Sequence, residues 1–410
     1  LKRNGGLDYV HPCLSKMNMQ SSSWVLYLAY CGLHLAQIGL LEGIYHATSI
    51  VCEIPSGAAA DLWGRKRCMI LSNLCIAVSC VIMLFSKSFG WFAVSFAVQA
   101  LGNNLNSGSE EALVYDSMKC LGQEEHYMGV YGRLNVLIEV AQGLATVAGG
   151  VLAEFSYFWC YAACVVIAVL ALLPVLGMAE PPQCSKAADT AGGSAKDAPA
   201  EGTPAQRTIW ETVKHHFAVS ACILQNDARI GKIIGFYSVV FAAHTLLFFY
   251  SQQYFADFGY NKVQISVIML LVGGASCLGA LASAKMYRRF GKRCLIPETV
   301  IIAAAILCYG SGKAGVAAAA LMCAGFANAA LYPVQSDSLN ALIPSEQRAT
   351  LISVDSMCFS IAMIVLFPLA GAFADRWGLK TVLLLLGAIL LLFLLAAFCI
   401  EKESFSSDHS

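Results

Sequence analysis

Charge is scarce in this sequence. Only 13% of its 410 residues are Asp, Glu, Lys or Arg, where a soluble domain carries roughly 25%. The 26 basic and 26 acidic residues cancel, and no basic stripe stands out, so no nucleic-acid partner is expected. The sequence has no GxxxxGK[ST] nucleotide loop, no CxxC pair and no Cys/His spacing suited to zinc. It also has no Ser/His/Asp set on a recognisable scaffold. These absences argue against an enzyme and against a primary pump with its motor in the same chain. No cofactor, metal or catalytic residue is expected. The 17 cysteines fall mostly inside apolar runs and read as small core residues. The opening LKRNGGLDYVHPCLSKMNMQSSS has neither a continuous apolar core nor a small-residue cleavage site, and is not expected to be a secretory signal.

What is abundant is apolar surface: 58% of the residues are hydrophobic and the mean hydropathy is +0.65. There are too few polar residues to cover a soluble body of this size, so a bilayer is the expected solvent. A spanning helix needs about 20 mostly apolar residues. Six such stretches fall at about 12–32, 36–59, 68–87, 90–118, 127–153 and 156–178. Six more fall at about 231–254, 263–287, 292–311, 314–335, 349–374 and 378–400. The first is the weakest, because Lys16, Asn18, Gln20 and Ser21 to Ser23 are unusual at membrane depth. That helix either faces a wet cavity or has lost its start.

The expected architecture is all-α, with twelve transmembrane helices in two pseudo-twofold bundles of six. One bundle covers residues 1–178 and the other 231–400, with a short tail at 401–410. Between the bundles, residues 179–230 read as a linker. Its first part, AEPPQCSKAADTAGGSAKDAPAEGTPAQR, has no periodic apolar face. Its second part, TIWETVKHHFAVSACIL, puts Ile209, Val213, Phe217 and Ile223 near one helical face, as in an amphipathic helix on a membrane surface. The basic residues set the orientation. With both termini in the cytoplasm, only Lys87, Lys262, Lys313, Arg376 and Lys380 lie outside. The chain is therefore expected to be a multi-pass protein of the plasma membrane (the inner membrane, if bacterial).

The two halves are related in sequence. Asp116-Ser117, with Leu121 and Glu125 following, matches Asp337-Ser338, with Leu342 and Glu346 at the same steps. The same offset of 221 carries Gly150-Val-Leu-Ala-Glu154 onto Gly371-Ala-Phe-Ala-Asp375. At a slightly different offset, LWGRKR (62–67) matches RFGKRC (289–294), with Arg288 in place of Asp61. Two parallel six-helix repeats form a recurring transporter architecture, with the substrate site between them near the bilayer midplane.

The stretch GAAADLWGRKR, residues 57–67, sets one acid, three bases and two glycines between two apolar runs. It suits a tight turn at the end of helix 2. Gly57 would let another helix approach closely, and Gly64 would allow a backbone turn that a side chain hinders. Gly57, Asp61, Gly64, Arg65 and Lys66 resemble the signature of the major facilitator superfamily, G-x-x-x-D-R-x-G-R-[RK], with Leu62 departing from it. EIPSG (53–57) and GSEEALVYDSMK (108–119) are similar to a bacterial branch rich in efflux and uncharacterised permeases.

The resemblance implies a conformational latch. Asp61 would face the start of helix 11 near Arg348-Ala349-Thr350, where the helix dipole places about half a positive charge. Arg65 would pair with Asp116 at the inner end of helix 4. Such a set contributes about 1–3 kcal/mol, enough to bias a two-state equilibrium and weak enough to break each cycle. Lys66 and Arg67 read instead as topology determinants that meet anionic lipid.

An ionisable group inside a bilayer is costly and marks function. Candidates are His46 and Glu53 on helix 2, Glu110 and Glu111 on helix 4, and Arg133 and Glu139 on helix 5. His244 on helix 7, Glu298 on helix 9 and Asp355 on helix 11 complete the set. Asn104, Gly108, Glu111 and Tyr115 form one polar stripe on helix 4, suited to a substrate and proton cavity. Tyr237, Phe241, His244 and Phe248 form an aromatic stripe on helix 7, suited to a partly apolar solute. A desolvated Glu111 is the proton carrier these patterns favour.

The expected function is secondary active transport of a small solute by a monomer, through proton-coupled efflux of partly apolar compounds. Import of a polar nutrient, such as a sugar or organic acid, is the alternative on the same fold. A membrane receptor or scaffold without transport is the alternative from another class.

Overall fold

The computed structural model describes residues 4–122, 127–180, 228–291, 295–340 and 348–407, and those residues contain helices and no strand. The helices are α1 (Asn4–Lys16), α2 (Trp24–Tyr30), α3 (Leu35–Trp63), α4 (Arg65–Phe85), α5 (Phe89–Asn106), α6 (Ser109–Cys120), α7 (Tyr127–Phe155) and α8 (Tyr157–Gly177). The second half has α9 (Ala228–Asp257), α10 (Lys262–Phe290), α11 (Leu295–Cys308), α12 (Ala314–Asn340), α13 (Arg348–Trp377) and α14 (Leu379–Ser407). A 3₁₀ turn, Tyr309–Ser311, extends α11.

These helices make twelve passes in two sets of six. The first pass is α1 with α2 and the fourth is α5 with α6. Each of the other ten uses one helix. Among the described residues, seven helices are long and apolar enough to cross a membrane unaided: α4, α7, α8, α9, α10, α12 and α13. The amphipathic helix and most of the linker expected between the halves lie outside the described residues. At the other end, α14 runs on to Ser407, through residues expected to belong to a tail.

The first pass departs most from expectation. It begins at Asn4 and is not one helix over 12–32. Helix α1 ends at Lys16, and a turn at 17–23 precedes α2. The serines of that turn are enclosed by protein, while Asn18 is exposed. Ser22 and Ser23 are buried, Ser21 Oγ meets Thr146 Oγ1 at 2.9 Å, and Ser22 Oγ donates to Thr146 O at 3.3 Å. Gln252 Nε2 donates to Ser21 O at 3.0 Å. Non-helical backbone survives at membrane depth only where protein supplies its hydrogen bonds, and here α7 and α9 supply them.

By contacts the chain divides into two compact units that interleave along the sequence. Unit 1 takes the described residues of Leu1–Met19, Thr48–Ala145 and Phe158–Val219. Unit 2 takes those of Gln20–Ala47, Thr146–Tyr157 and Ser220–Ser410. Within unit 1, α4 and α5 pack as an antiparallel pair cemented by serines. Ser72 Oγ donates to Gly102 O at 2.7 Å, and Ser79 and Ser95 exchange hydroxyl contacts at 2.9 Å. Small hydroxyl residues bring helices close where lipid gives no hydrophobic drive between them.

Within unit 2, α10 and α12 approach most closely at Gly279, where a Cβ would collide with the Phe326 main chain. A backbone cannot yield as a side-chain tip can. Gly279→Val is therefore expected to cost about 1–3 kcal/mol through overpacking. This is read as a lower thermal midpoint in detergent. Ala280→Val, at the exposed neighbouring position, is the comparison and is expected to leave the midpoint near wild type.

Candidate functional site

The turn between α3 and α4 is built around Gly64, with φ +93° and ψ 149°, a region that only glycine adopts without strain. The residue frees α4 to start at Arg65 with its amides exposed. Glu180 accepts from both, Arg65 N to Oε1 at 2.7 Å and Lys66 N to Oε2 at 2.8 Å. Its carboxylate packs on Gly64, 3.0 Å from where a Cβ would lie. In return, Lys66 Nζ donates to Leu176 O at 3.0 Å and Met178 O at 2.6 Å, the last carbonyls of α8. Each charge meets the helix end whose dipole favours it.

The Arg65 guanidinium donates through Nη1 to both Asp116 Oδ2 and Ala112 O on α6. The expected Arg65–Asp116 pair is thus made, and it ties the third pass to the fourth. Lys66, expected to serve topology and lipid, instead fastens the end of the sixth pass. Arg67 is exposed. At Gly57 a Cβ would meet nothing within 4 Å among the described residues. The Asp61 side chain, and those at the start of α13, lie outside the described side chains. Glu180 was missed because its neighbours read as linker.

A second cluster lies inside unit 1, where α1, α4, α5 and α6 meet. Asp8 and His11 on α1 are buried, as are Asn73 on α4 and Asn106 on α5. His11 Nδ1 stands 3.1 Å from Glu110 Oε1, and Asn106 Nδ2 donates to Glu110 Oε2 at 2.7 Å. Asn73 Nδ2 donates to His11 Nε2 at 3.0 Å and to Met69 O at 2.9 Å. Asn73 thus holds the Nε2 side of the ring, while Nδ1 faces the Glu110 carboxylate. Asp8 lines the same cleft, and its Oδ1 has no hydrogen-bond partner among the described residues. Asn4, one turn earlier, donates to Ser117 Oγ at 3.0 Å and Ala179 O at 2.9 Å and fixes α1 against α6. Sequence reasoning found Glu110 but not Asp8 or His11, because the first helix was started at residue 12.

The stripe expected on the fourth pass is divided. The pass breaks at Ser107 and Gly108, so Asn104 belongs to α5 while Glu111 and Tyr115 belong to α6. The Asn104 amide is engaged on both sides by Ser49, at 3.0 and 2.7 Å. It serves helix packing. Glu111 and Tyr115 are exposed, and Glu111 accepts from the Tyr131 hydroxyl. The desolvated setting expected for Glu111 belongs to its neighbour Glu110.

In unit 2, two residues of the expected aromatic stripe touch. The Tyr237 and Phe241 rings stack at 6.1 Å, and Phe241 meets Tyr332 of α12 at 5.9 Å. His244 is half-buried, with Nε2 lacking a partner among the described residues. Tyr332 also lines a small cleft between α12 and α13, together with Gln335, Ser336 and Asp355. Gln335 Nε2 donates to Asp355 Oδ1 at 3.0 Å, while buried Gln335 Oε1 has no partner among the described residues. No group of three or more His, Cys, Asp or Glu suited to a metal ion occurs among the described residues.

Twelve helical passes in two related sets, with ionisable side chains buried inside them, define a membrane transporter. A profile described as Major Facilitator Superfamily matches residues 15–314 and 298–408, and the chain belongs to that family. The Bacillus subtilis (strain 168) protein "Uncharacterized MFS-type transporter YxaM" is 20% identical over 381 residues, covering 92% of this chain and 90% of that one. The solved nucleoside transporter NupG superposes with TM-score 0.72 at 15% identity, over 98% of this chain and 98% of its own. An auto-inhibited peptide transporter of the POT family gives TM-score 0.72 at 12% identity, over 98% and 97%. At these identities the two structures establish the fold.

Gly64→Ala is expected to lower the unfolding free energy by about 1–3 kcal/mol through backbone strain. Glu180→Ala is expected to lower it by about 1 kcal/mol through the lost cap. The double variant should lose less than the sum, because the two groups pack on each other. Thermal midpoints of the four proteins in detergent measure all three quantities.

Proposed function

We propose that the protein is a proton-coupled secondary transporter that moves small, partly apolar compounds across the plasma membrane by alternating access, with export as the direction. The observation that carries the coupling is the Asp8–His11–Glu110 cluster inside unit 1. Two carboxyl groups and one imidazole share a cleft, and one carboxylate oxygen has no partner there among the described residues. Such groups are too costly in a bilayer to be kept without use. A proton arriving on Asp8 satisfies that oxygen and removes one of two negative charges. A proton arriving on His11 Nε2 displaces the donor from Asn73 and so disturbs α4. Either event couples protonation to helix packing, which a proton-driven cycle requires.

The aromatic run Tyr237–Phe241–Tyr332, beside a cleft holding Asp355 and Gln335, supports the substrate class. Flat apolar faces next to a carboxylate suit an aryl-bearing amine better than a sugar. The nucleoside and peptide carriers share the fold alone and do not select the solute. The distribution of Lys and Arg supports a topology with both termini in the cytoplasm.

The test begins with a thermal-shift panel of aryl-alkyl amines, nucleosides and sugars at two pH values. The solute that stabilises the protein then enters proteoliposomes loaded with a pH dye. Wild type is expected to move protons when that solute is added and to accumulate it against an imposed pH gradient. Glu110→Gln and Asp8→Asn are expected to lose both activities while still exchanging solute for solute. Wild-type proton movement in both variants would remove the cluster from the mechanism, and stabilisation by sugars alone would favour the importer.

A further inference from the structure

Within unit 2, two pairs of passes are joined at their ends by the same device. The last turn of α13 carries Asp375, whose Oδ1 accepts from Leu35 N and whose Oδ2 accepts from Ala36 N, both at 2.9 Å. These are the first two amides of α3. The last turn of α7 carries Glu154, whose Oε2 accepts from Lys262 N, the first amide of α10, at 2.9 Å. The Lys262 ammonium lies 3.8 Å from the same carboxylate and 4.9 Å from the centre of the Tyr157 ring.

The two devices are copies of each other. Glu154 and Asp375 stand 221 residues apart, the step that relates the repeats there. Leu35 and Lys262 stand 227 apart, the step that relates LWGRKR to RFGKRC. The agreement continues one turn inward. Gly371 faces Leu35 O, and Gly39 faces the Phe367 main chain. In the other pair Gly150, 221 before Gly371, faces Ser266, 227 after Gly39. Both seams are thus small-residue contacts closed by an acid on a helix start. The α3–α13 seam runs deeper, with Tyr250 Oη 3.2 Å from Leu35 O and 3.1 Å from Phe367 O. Beyond it, buried His46 lies 3.1 Å from Ser360 Oγ and 3.6 Å from Glu42 Oε1.

A cap that only stabilised a helix would come from the residue preceding it, as Asn261 also does for α10. These acids come from a pass of the opposite repeat. Each bond therefore joins the two repeats at the end away from the Gly64 turn. The carboxylates remain accessible, Glu154 being 42% exposed, so water can replace the amides when the bond breaks. A carboxylate on backbone N–H groups is a strong bond that still has a good aqueous alternative.

We propose that Asp375 and Glu154 are paired gate residues that hold shut the end opposite the Gly64 turn, and that both caps release together when that end opens. The proposal rests on the alternating-access reading, but its test uses neither solute nor gradient. Failure of the gate leaves proton coupling untouched, and failure of the coupling leaves the gate untouched.

The test is hydrogen–deuterium exchange on purified protein in lipid nanodiscs. Wild type is compared with Asp375→Asn, Glu154→Gln, the conservative Asp375→Glu, and Ala36→Pro. The last removes one amide donor to Asp375, at a position where a first helical turn tolerates proline. Peptides covering 33–41 and 260–268 report the two seams, and peptides from α4 and α5 serve as reference. Asp375→Asn, Glu154→Gln and Ala36→Pro are each expected to speed exchange about ten-fold at both seams, including the one whose cap is intact, with α4 and α5 unchanged. Asp375→Glu is expected to keep wild-type exchange at both. Acceleration confined to the altered seam would overturn the proposal. So would no acceleration at all, or an equal rise in α4 and α5.

Discussion

Backbone amides and carbonyls find no water in the hydrocarbon core of a membrane, so a chain this apolar must close its hydrogen bonds within its own helices. Everything else in the structure follows from where that closure stops. A helix ends with orphan amides at its start and orphan carbonyls at its finish. The few charges of this sequence gather at those ends. Glu180 takes the first amides of α4, Asp375 those of α3 and Glu154 that of α10, while Lys66 takes the last carbonyls of α8. The one long interruption within a pass among the described residues, at 17–23, is silenced in another way, by Thr146 and Gln252.

This accounts for how much of the molecule could be read from its sequence. Helix existence is legible because burial in lipid demands long apolar runs, and the second half of the repeat confirms the first. The Arg65–Asp116 pair was legible because both residues lie in short motifs at fixed positions. The start of the first pass was not. Asp8 and His11 lower the average hydropathy of the opening, yet the partners of His11 and the cleft it shares with Asp8 involve α4 and α6, far along the chain. Glu180 was hidden for the same reason, since its role depends on Gly64, more than a hundred residues earlier. Periodicity sees neighbours on one helix, and the missed residues all act across helices. Gly39, Gly150 and Gly371 mark close crossings for the same reason, since what each faces lies on another helix.

The chemistry is also unevenly shared. Unit 1 holds the closely packed ionisable cluster, with a histidine held between Asn73 and Glu110. Unit 2 holds the aromatic faces and the Asp355 cleft. The settings differ in kind: the Glu110 carboxylate lies between an amide and an imidazole, while the rings lie against other rings. In a family whose members share a fold at low identity, such local settings distinguish one carrier from another.

The placement of Glu154 and Asp375 has a further consequence. Each stands in the closing turn of its own helix, where the helix dipole is negative at its tip and a carboxylate is repelled, by about 0.3–1 kcal/mol. Contact with a foreign helix start reverses that sign. When the contact parts, each acid falls back into the adverse field of the helix that bears it, and the separated form is loaded like a spring. The restoring force needs no ligand and no moving loop, because it is written into the polarity of two peptide rods laid head to tail.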